Sequence, residues 1–317
     1  MKRINQLYDQ VCSIDNLLLA DSIARRGKAK QTGVVEFDRN YDQNIADIYQ
    51  ELVTKSYKTS PYRHRTIMER KERVISILPY RDRVVQHAIM NVLEPMFVSV
   101  FTRDTYACIK GRGVHLASNT LKGYLKDVEG TTYCLKIDIR KFYPSVDNEI
   151  LKSLLRKKIK DKEMLWLLDG IIDSADGLPI GNYLSQYLSN FYLTYFDHWI
   201  KEVLRVKYYI RYADDIVILH RDKKYLHWLF NEISQYLEAN LKLSLKPNRG
   251  PFPTVLGIDF GGYVHYHTHT LMRKLIKQDF ARAIKSNKPP SSINSYLGWA
   301  KHCNSKHLIK KLTNEKL

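Results

Sequence analysis

Asp214 and Asp215 stand side by side between two apolar runs, Tyr208–Ile210 and Ile216–Ile218, and a third acid, Asp138, closes the short apolar run that begins at Tyr133. The runs read as strands, so 207–220 becomes a hairpin with acids at its tip and Asp138 becomes a strand end. Carboxylates about 4 Å apart repel by roughly 4 kcal/mol per pair at an effective dielectric of about 20, so something positive must compensate. A hard divalent cation does this, and Mg²⁺ characteristically takes one or two carboxylates plus substrate phosphates. Two such ions clamp the attacking and leaving oxygens of an in-line phosphoryl transfer. An isolated Asp-Asp is better explained by the frequency of Asp in turns. The third carboxylate at a strand end is what makes the pair a candidate constellation.

The elements that must position these acids follow from periodicity. Over 133–138 the alternation puts Tyr133, Leu135 and Ile137 on one face and Cys134, Lys136 and Asp138 on the other, so the carboxylate leaves the buried sheet face. Helices are expected over 42–52, over 82–93 with Pro95 placed to end it, over 114–128, over 183–203 with Asn182 as its cap, and over 225–241. The stretch 57–79 contains strands, 254–266 a Gly-rich strand pair, and the remainder is helical, broken at Pro289-Pro290. The fold class is α+β: an antiparallel sheet with helices on one side and a helical C-terminal lobe.

The charge points to the partner. The 317 residues carry 51 Lys plus Arg against 33 Asp plus Glu, a net charge of +18, and an excess of this size repels itself unless a polyanion neutralises it. Nucleic acid is the leading partner and an anionic membrane surface the second. From Tyr263 to Leu317 there are eleven Lys or Arg and two acids, a net charge of +9, which marks a lobe that grips a phosphate backbone. Cys12, Cys108, Cys134 and Cys303 form no CxxC pair and have no His partner at zinc spacing, so a metal finger and a disulfide framework are disfavoured and a reducing cytoplasm is expected. No apolar run is long enough to span a bilayer, and the N-terminus lacks a signal-peptide core. His87, His115 and His220 read as packing or surface residues.

The segment Leu135-Lys136-Ile137-Asp138-Ile139-Arg140-Lys141-Phe142-Tyr143-Pro144-Ser145, taken with Tyr212-Ala213-Asp214-Asp215, resembles the polymerase palm of the reverse transcriptases. Further blocks follow in family order. Arg73 to Gln86 and Tyr106 to Gly113 resemble the fingers blocks, Gly177 to Gln186 the block before the palm helix, and Gly257 to Tyr263 the primer-grip turn. Gly181-Asn182 followed by Ser185-Gln186, the short length and Ser295-Tyr296-Leu297-Gly298-Trp299 are most similar to the reverse transcriptases of diversity-generating retroelements. Retron and group II intron enzymes usually carry Pro where Gln186 stands, while some phage-defence enzymes share the Gln. Two departures stand out: Gly261 occupies a place where relatives generally have Leu, and 241–249 matches loosely, leaving open whether Lys246 or Arg249 approaches the leaving pyrophosphate.

The resemblance implies a right-hand polymerase fold without a ribonuclease H domain: an N-terminal segment and fingers over 1–130, a palm over 131–262 with part of the fingers interleaved, and a basic helical thumb over 263–317. It implies two Mg²⁺ ions, for which Mn²⁺ substitutes, around Asp138, Ile139, Asp214 and Asp215. Lys71 and Arg73 would hold the triphosphate, Tyr143 would gate the sugar against a 2′-hydroxyl, and Gln186 would lie near the nascent base pair. Arg112, Gly261, Lys274, Lys277 and Lys285 would contact template and primer. The implied partners are a structured noncoding template RNA and its RNA/DNA hybrid, deoxynucleoside triphosphates and a small basic helical accessory protein, with no membrane. The implied activity is RNA-directed DNA synthesis, error-prone at template adenines in the service of mutagenic retrohoming. A phage-defence enzyme, abortive-infection or retron-like, is the alternative. A noncatalytic RNA-binding scaffold is disfavoured by the presence of all three acids.

Overall fold

The computed structural model describes residues 3–68, 72–247 and 250–314, so Lys71 and Arg249 lie outside the described residues. The chain forms two compact units. The first comprises residues up to Thr102, Arg140–Asp197 and Tyr236–Ser244; the second comprises Arg103–Ile139, His198–Gln235 and the chain from Leu245 onward.

In the first unit, β1 (Arg63–Met68) and β2 (Glu72–Ile77) pair antiparallel, with Arg63 opposite Ile77 and Met68 opposite Glu72. The helix Tyr80–Val100 packs against the helices Ile14–Ala24 and Tyr183–Tyr192. It runs straight through Pro95 instead of ending before it. The proline forfeits one main-chain hydrogen bond and costs about 3 kcal/mol. Beyond it, however, Met96, Phe97 and Val100 continue the buried stripe, Phe97 meeting Phe191 edge-on at 5.4 Å, and each such burial contributes roughly 1.5–3 kcal/mol. Packing therefore outweighs the local break.

The helix expected over 42–52 is present as Tyr41–Val53. That expected over 183–203 is not continuous: Tyr183–Tyr192 is followed by Thr194–His198 and a π-helical turn, Trp199–Val203. Thr194 Oγ1 donates back to the Asn190 carbonyl at 3.1 Å, a bond that bends helices. Asn182 occupies the cap position without capping, because its amide instead donates to the Tyr62 hydroxyl at 2.9 Å. Side-chain caps are found at Asp147 and Asp161, which open the helices Asn148–Arg156 and Lys162–Ile172.

The second unit is built on an antiparallel sheet in the order β4-β5-β3-β6, from β3 (Tyr133–Asp138), β4 (Tyr208–Tyr212), β5 (Asp215–His220) and β6 (Phe252–Pro253). A second sheet joins β7 (Ile258–Phe260), β8 (Tyr263–His265) and β9 (Thr270–Met272) in sequence order. Cys134 is a correction to the alternation argument: it is fully buried among Ala117, Leu121, Ile210, Val217 and Leu219, so that face of β3 is core at its start. Only Lys136 and Asp138, further along, reach partial exposure. The helix that covers this face is Val114–Tyr124, shorter than expected because the chain turns at Asp127, whose Oδ1 accepts from Gly130 N at 3.0 Å. The helix expected over 225–241 begins slightly earlier, as Lys223–Leu241.

Gly261 and Gly262 join β7 to β8 in a two-residue turn with φ of +57° and +85°, the left-handed pair that a tight hairpin demands. A side chain at Gly262 would collide with the Trp299 ring. The helices Lys274–Lys285, Pro290–Ala300 and Lys306–Asn314 follow, the break falling at Pro289-Pro290 as expected. Among the described residues no helix is long and apolar enough to cross a membrane.

His265 on β8 is fully buried, and burial, with Lys122 adding to it, lowers its pKa to about 4. A folded-state pKa below the unfolded value means stability present at neutral pH and lost as pH falls from about 6.5 towards 4, amounting to about 3 kcal/mol once the unfolded chain takes the proton. The thermal midpoint is expected to drop through that window and His265→Gln to flatten the slope. A parent whose midpoint does not respond to pH there would contradict the assignment.

Candidate active site

The acids meet where β3 ends. Asp138 pairs with Asp215 across the β3–β5 ladder, and Asp214 occupies the turn between β4 and β5. Main-chain bonds fix both carriers: Ile139 N donates to the Asp214 carbonyl at 3.3 Å and Lys246 N to the Asp138 carbonyl at 2.9 Å. The Ile139 side chain is fully buried, so only its main-chain carbonyl is of use to a cation.

Two lysines partly offset the acids. Lys246 Nζ lies 2.5 Å from Asp138 Oδ1, and Lys136 Nζ lies 3.4 Å from Asp215 Oδ2 while donating to the Asp259 carbonyl at 2.7 Å. Even so, the Asp215 carboxyl is pushed up to about 6, chiefly by burial, with Asp214 and Asp138 adding to the rise against the pull of Lys136. Asp215 Oδ1 is buried with no hydrogen-bond partner among the described residues. An acceptor-only oxygen so placed, beside a second carboxylate in register, suits a hard divalent cation. Among the described residues no three His, Cys, Asp or Glu side chains converge into a ready-made cage. Asp138 and Asp215 in register, with Asp214 in the adjoining turn, are the kind of donor set that Mg²⁺ takes alongside water and substrate phosphates.

One residue that sequence reasoning passed over supports this tip. Arg211 on β4 is fully buried; its Nη1 donates to the Ala213 carbonyl at 3.1 Å, its amide to Asp104 O at 2.9 Å, and its carbonyl accepts from Tyr106 N at 3.0 Å. Ala213 itself adopts the left-handed region with φ of +53°. The available signal was a charge inside an apolar strand, three residues before the first of the paired acids.

The first unit assembles a different group. Tyr143 opens a 3₁₀ turn and is half-buried; its hydroxyl accepts from Ser189 Oγ at 3.3 Å, and its carbonyl accepts from Leu178 N at 2.9 Å. Ser189 lies one turn beyond Gln186, which is exposed in the helix Tyr183–Tyr192. The loop 177–181 ties this turn to β2: Ser76 N donates to the Ile180 carbonyl at 2.8 Å. A Cβ at Gly177 would come within 2.8 Å of the Tyr143 carbonyl oxygen, and φ there is +69°, so the approach requires glycine. Arg73 is exposed on β2. Arg73, Tyr143 and Gln186 thus belong to one unit and one connected set of segments, with Ser189 as a member the sequence did not single out.

The residues expected to contact template and primer lie in the second unit. Lys274, Lys277 and Lys285 are exposed, and their spacing places them on one side of their helix. Arg112 is half-buried and its Nη1 donates to the Thr105 carbonyl at 2.8 Å, which gives it a structural task. A Cβ at Gly261 would stand 2.6 Å from Val114 Cγ2, and φ there is +57°, so the turn has no room for a bulky side chain at this position.

A family model described as reverse transcriptase (RNA-dependent DNA polymerase) matches residues 58–253. Among curated proteins, Protein YkfC of Escherichia coli (strain K12) is 27% identical over 284 residues, covering 74% of this chain and 73% of YkfC. Group II intron-encoded protein LtrA of Lactococcus lactis subsp. cremoris is 24% identical over 232 residues, covering 68% of this chain and 38% of LtrA. Among solved structures, apo telomerase from Candida tropicalis superposes with a TM-score of 0.51 at 11% identity, over 72% of this chain and 52% of that one, a likeness of fold. The match therefore takes in well under two thirds of the intron-encoded relative and about half of the telomerase chain.

Proposed function

The chain belongs to the reverse transcriptase (RNA-dependent DNA polymerase) family, and on that premise we propose that it copies a structured noncoding RNA into DNA by extending a primer 3′-hydroxyl with deoxynucleotides. The observation that carries the reading is the register that sets Asp138 opposite Asp215, with Asp214 beside them in the turn. When bound at these carboxylates, Mg²⁺ or Mn²⁺ supplies the charge that activates the hydroxyl and steadies the triphosphate. The protein's own part is positional. In this reading Asp138, Asp214 and Asp215 orient the attacking and leaving oxygens, and Lys246, which pairs with Asp138, would offer a leaving pyrophosphate an ammonium partner. Tyr143, held by Ser189, forms the wall against a 2′-hydroxyl. In this reading Arg73 approaches the triphosphate, and Lys274, Lys277 and Lys285 carry backbone contacts in a thumb-like lobe.

At the finer level we assign the chain to the diversity-generating type. Support comes from the Gln at 186 and from its exposure, which leaves a side-chain amide with both donor and acceptor free to meet a mispaired base. A small basic accessory protein would act with it. The test is primer extension on the copurifying RNA with deoxynucleotides and Mg²⁺, followed by sequencing of the product. Errors are expected to concentrate opposite template adenine, and Gln186→Ala is expected to reduce them while synthesis continues. Proline is the poorer probe, because position 186 is the fourth of its helix, where the main-chain N–H is the first to bond within the helix. Uniformly accurate copying would favour the phage-defence reading instead.

A further inference from the structure

A basic cleft of about 370 Å³ opens in the second unit between the turn after helix Val114–Tyr124, the β8–β9 turn and residues 301–304. Sites that take small ligands span roughly 300–1,000 Å³. Lys122, Lys126 and Lys301 line the cleft with His267, His269 and His302, and no carboxylate does. None of the three lysines is in an ion pair among the described residues. Asp127, next in sequence to Lys126, is paired with Lys207 at 3.4 Å and accepts from Tyr208 and Gly130. Among the described residues the three lysines of the cleft therefore have no carboxylate partner.

The walls are built, not incidental. Asn304 N donates to the Thr270 carbonyl at 2.7 Å and Thr270 N to Asn304 Oδ1 at 3.0 Å. Lys122 Nζ donates to the His302 carbonyl at 2.5 Å, and His267 Nε2 lies 3.1 Å from Thr131 Oγ1. Tyr266 and His269 stack with centroids 4.5 Å apart and planes 13° from parallel, a flat aromatic surface in the same wall.

Cations without acid partners beside flat rings are what single-stranded nucleic acid requires, the cations for phosphates and the rings for base faces. We propose that this cleft binds a single-stranded RNA segment, with phosphodiesters against Lys126 and Lys301 and a base against the His269 ring. The place is remote from the copying chemistry. Thr131 lies in the turn before β3, whose far end is Asp138, and the six residues of that strand span roughly 17 Å. The inference goes beyond the polymerase reading, since its binding test holds whether or not the protein extends a primer.

The experiment uses the full chain with the copying site first filled by a short template-primer duplex. A fluorescein-labelled unstructured RNA is then titrated at several salt concentrations, and a matching RNA carrying 4-thiouridine is photo-crosslinked and mapped. Lys126→Glu with Lys301→Glu is expected to weaken RNA binding about tenfold at low salt and to reduce the slope of log affinity against log salt by about 1.4, two phosphates at roughly 0.7 each. His269→Ala is expected to weaken it about fivefold with the slope unchanged, as loss of stacking would. Both variants should extend the short duplex like the parent, which also reports that they are folded, and crosslinks should map to the turn 266–269. Unchanged RNA affinity in the lysine variant, or crosslinks confined to other segments, would overturn the proposal. So would full competition by a mononucleotide at equal phosphate concentration, which would make the cleft a free-nucleotide site.

Discussion

Asp138→Asn and Asp215→Asn are each expected to fold, to bind RNA, and to extend a primer at least a thousandfold more slowly than the parent, a loss of about 4 kcal/mol in transition-state stabilisation. The two positions face each other across the ladder, so either change removes half of the paired carboxylate surface that a divalent ion would use. The effects on stability should differ. Asp215 is held against its preference for ionisation by burial and by two neighbouring acids, so a neutral amide of the same shape relieves repulsion. In metal-free buffer its thermal midpoint should equal or exceed that of the parent. Asp138 loses the Lys246 partner, but the pair is partly exposed, with side chains 37% and 42% accessible, and such pairs contribute only about 0–1 kcal/mol. A second readout separates metal binding from chemistry: Mg²⁺ should raise the midpoint of the parent and have a smaller effect on both variants. Parent-like extension, or an undiminished Mg²⁺ shift, would remove these carboxylates from the centre of the mechanism.

The parts of this site legible in the sequence are those fixed by neighbours along the chain. Strand alternation and an acid-bearing turn locate Asp138, Asp214 and Asp215, and the hairpin forms with the expected strands on either side. The readings that fail are decided by partners far away in sequence. Pro95 lies inside a helix because Phe97 and Val100 find a buried surface on other helices. Cys134 is core because the helix Val114–Tyr124 covers its face, and alternation alone cannot say which of two faces meets such a cover. Asn182 forgoes capping for Tyr62, more than a hundred positions earlier, a choice that capping statistics do not contain. Arg211 escaped notice for the same reason, since a cation in an apolar strand has meaning only once the carbonyls around it are known.

Arg211 is a positioning residue, and its replacement should be nearly as damaging as loss of an acid. Desolvating a guanidinium costs several kcal/mol, which the fold tolerates only where fixed acceptors surround it. Arg211→Met leaves the Ala213 carbonyl without that donor, and a buried acceptor so abandoned costs about 1–3 kcal/mol. With the lost packing of a wholly buried side chain, a decrease in stability of about 2–4 kcal/mol follows, or roughly 3–6 °C in thermal midpoint for a chain of this size. The catalytic consequence has a separate cause. Ala213 is held at a positive φ that a side chain disfavours by about 1–2 kcal/mol, so once the tie is cut the turn has reason to relax and to carry Asp214 and Asp215 with it. A displacement near 1 Å is enough for about a hundredfold loss in rate. Arg211→Lys tests this with the charge kept, because an ammonium cannot reproduce the planar fork. It should lower kcat about a hundredfold and raise the Mg²⁺ concentration needed for half-maximal rate, while RNA affinity stays at the parent value. Adding Ala213→Gly should recover stability, since glycine accepts the left-handed turn, without recovering kcat. A lysine variant with parent kcat and parent Mg²⁺ dependence would reduce Arg211 to a packing residue.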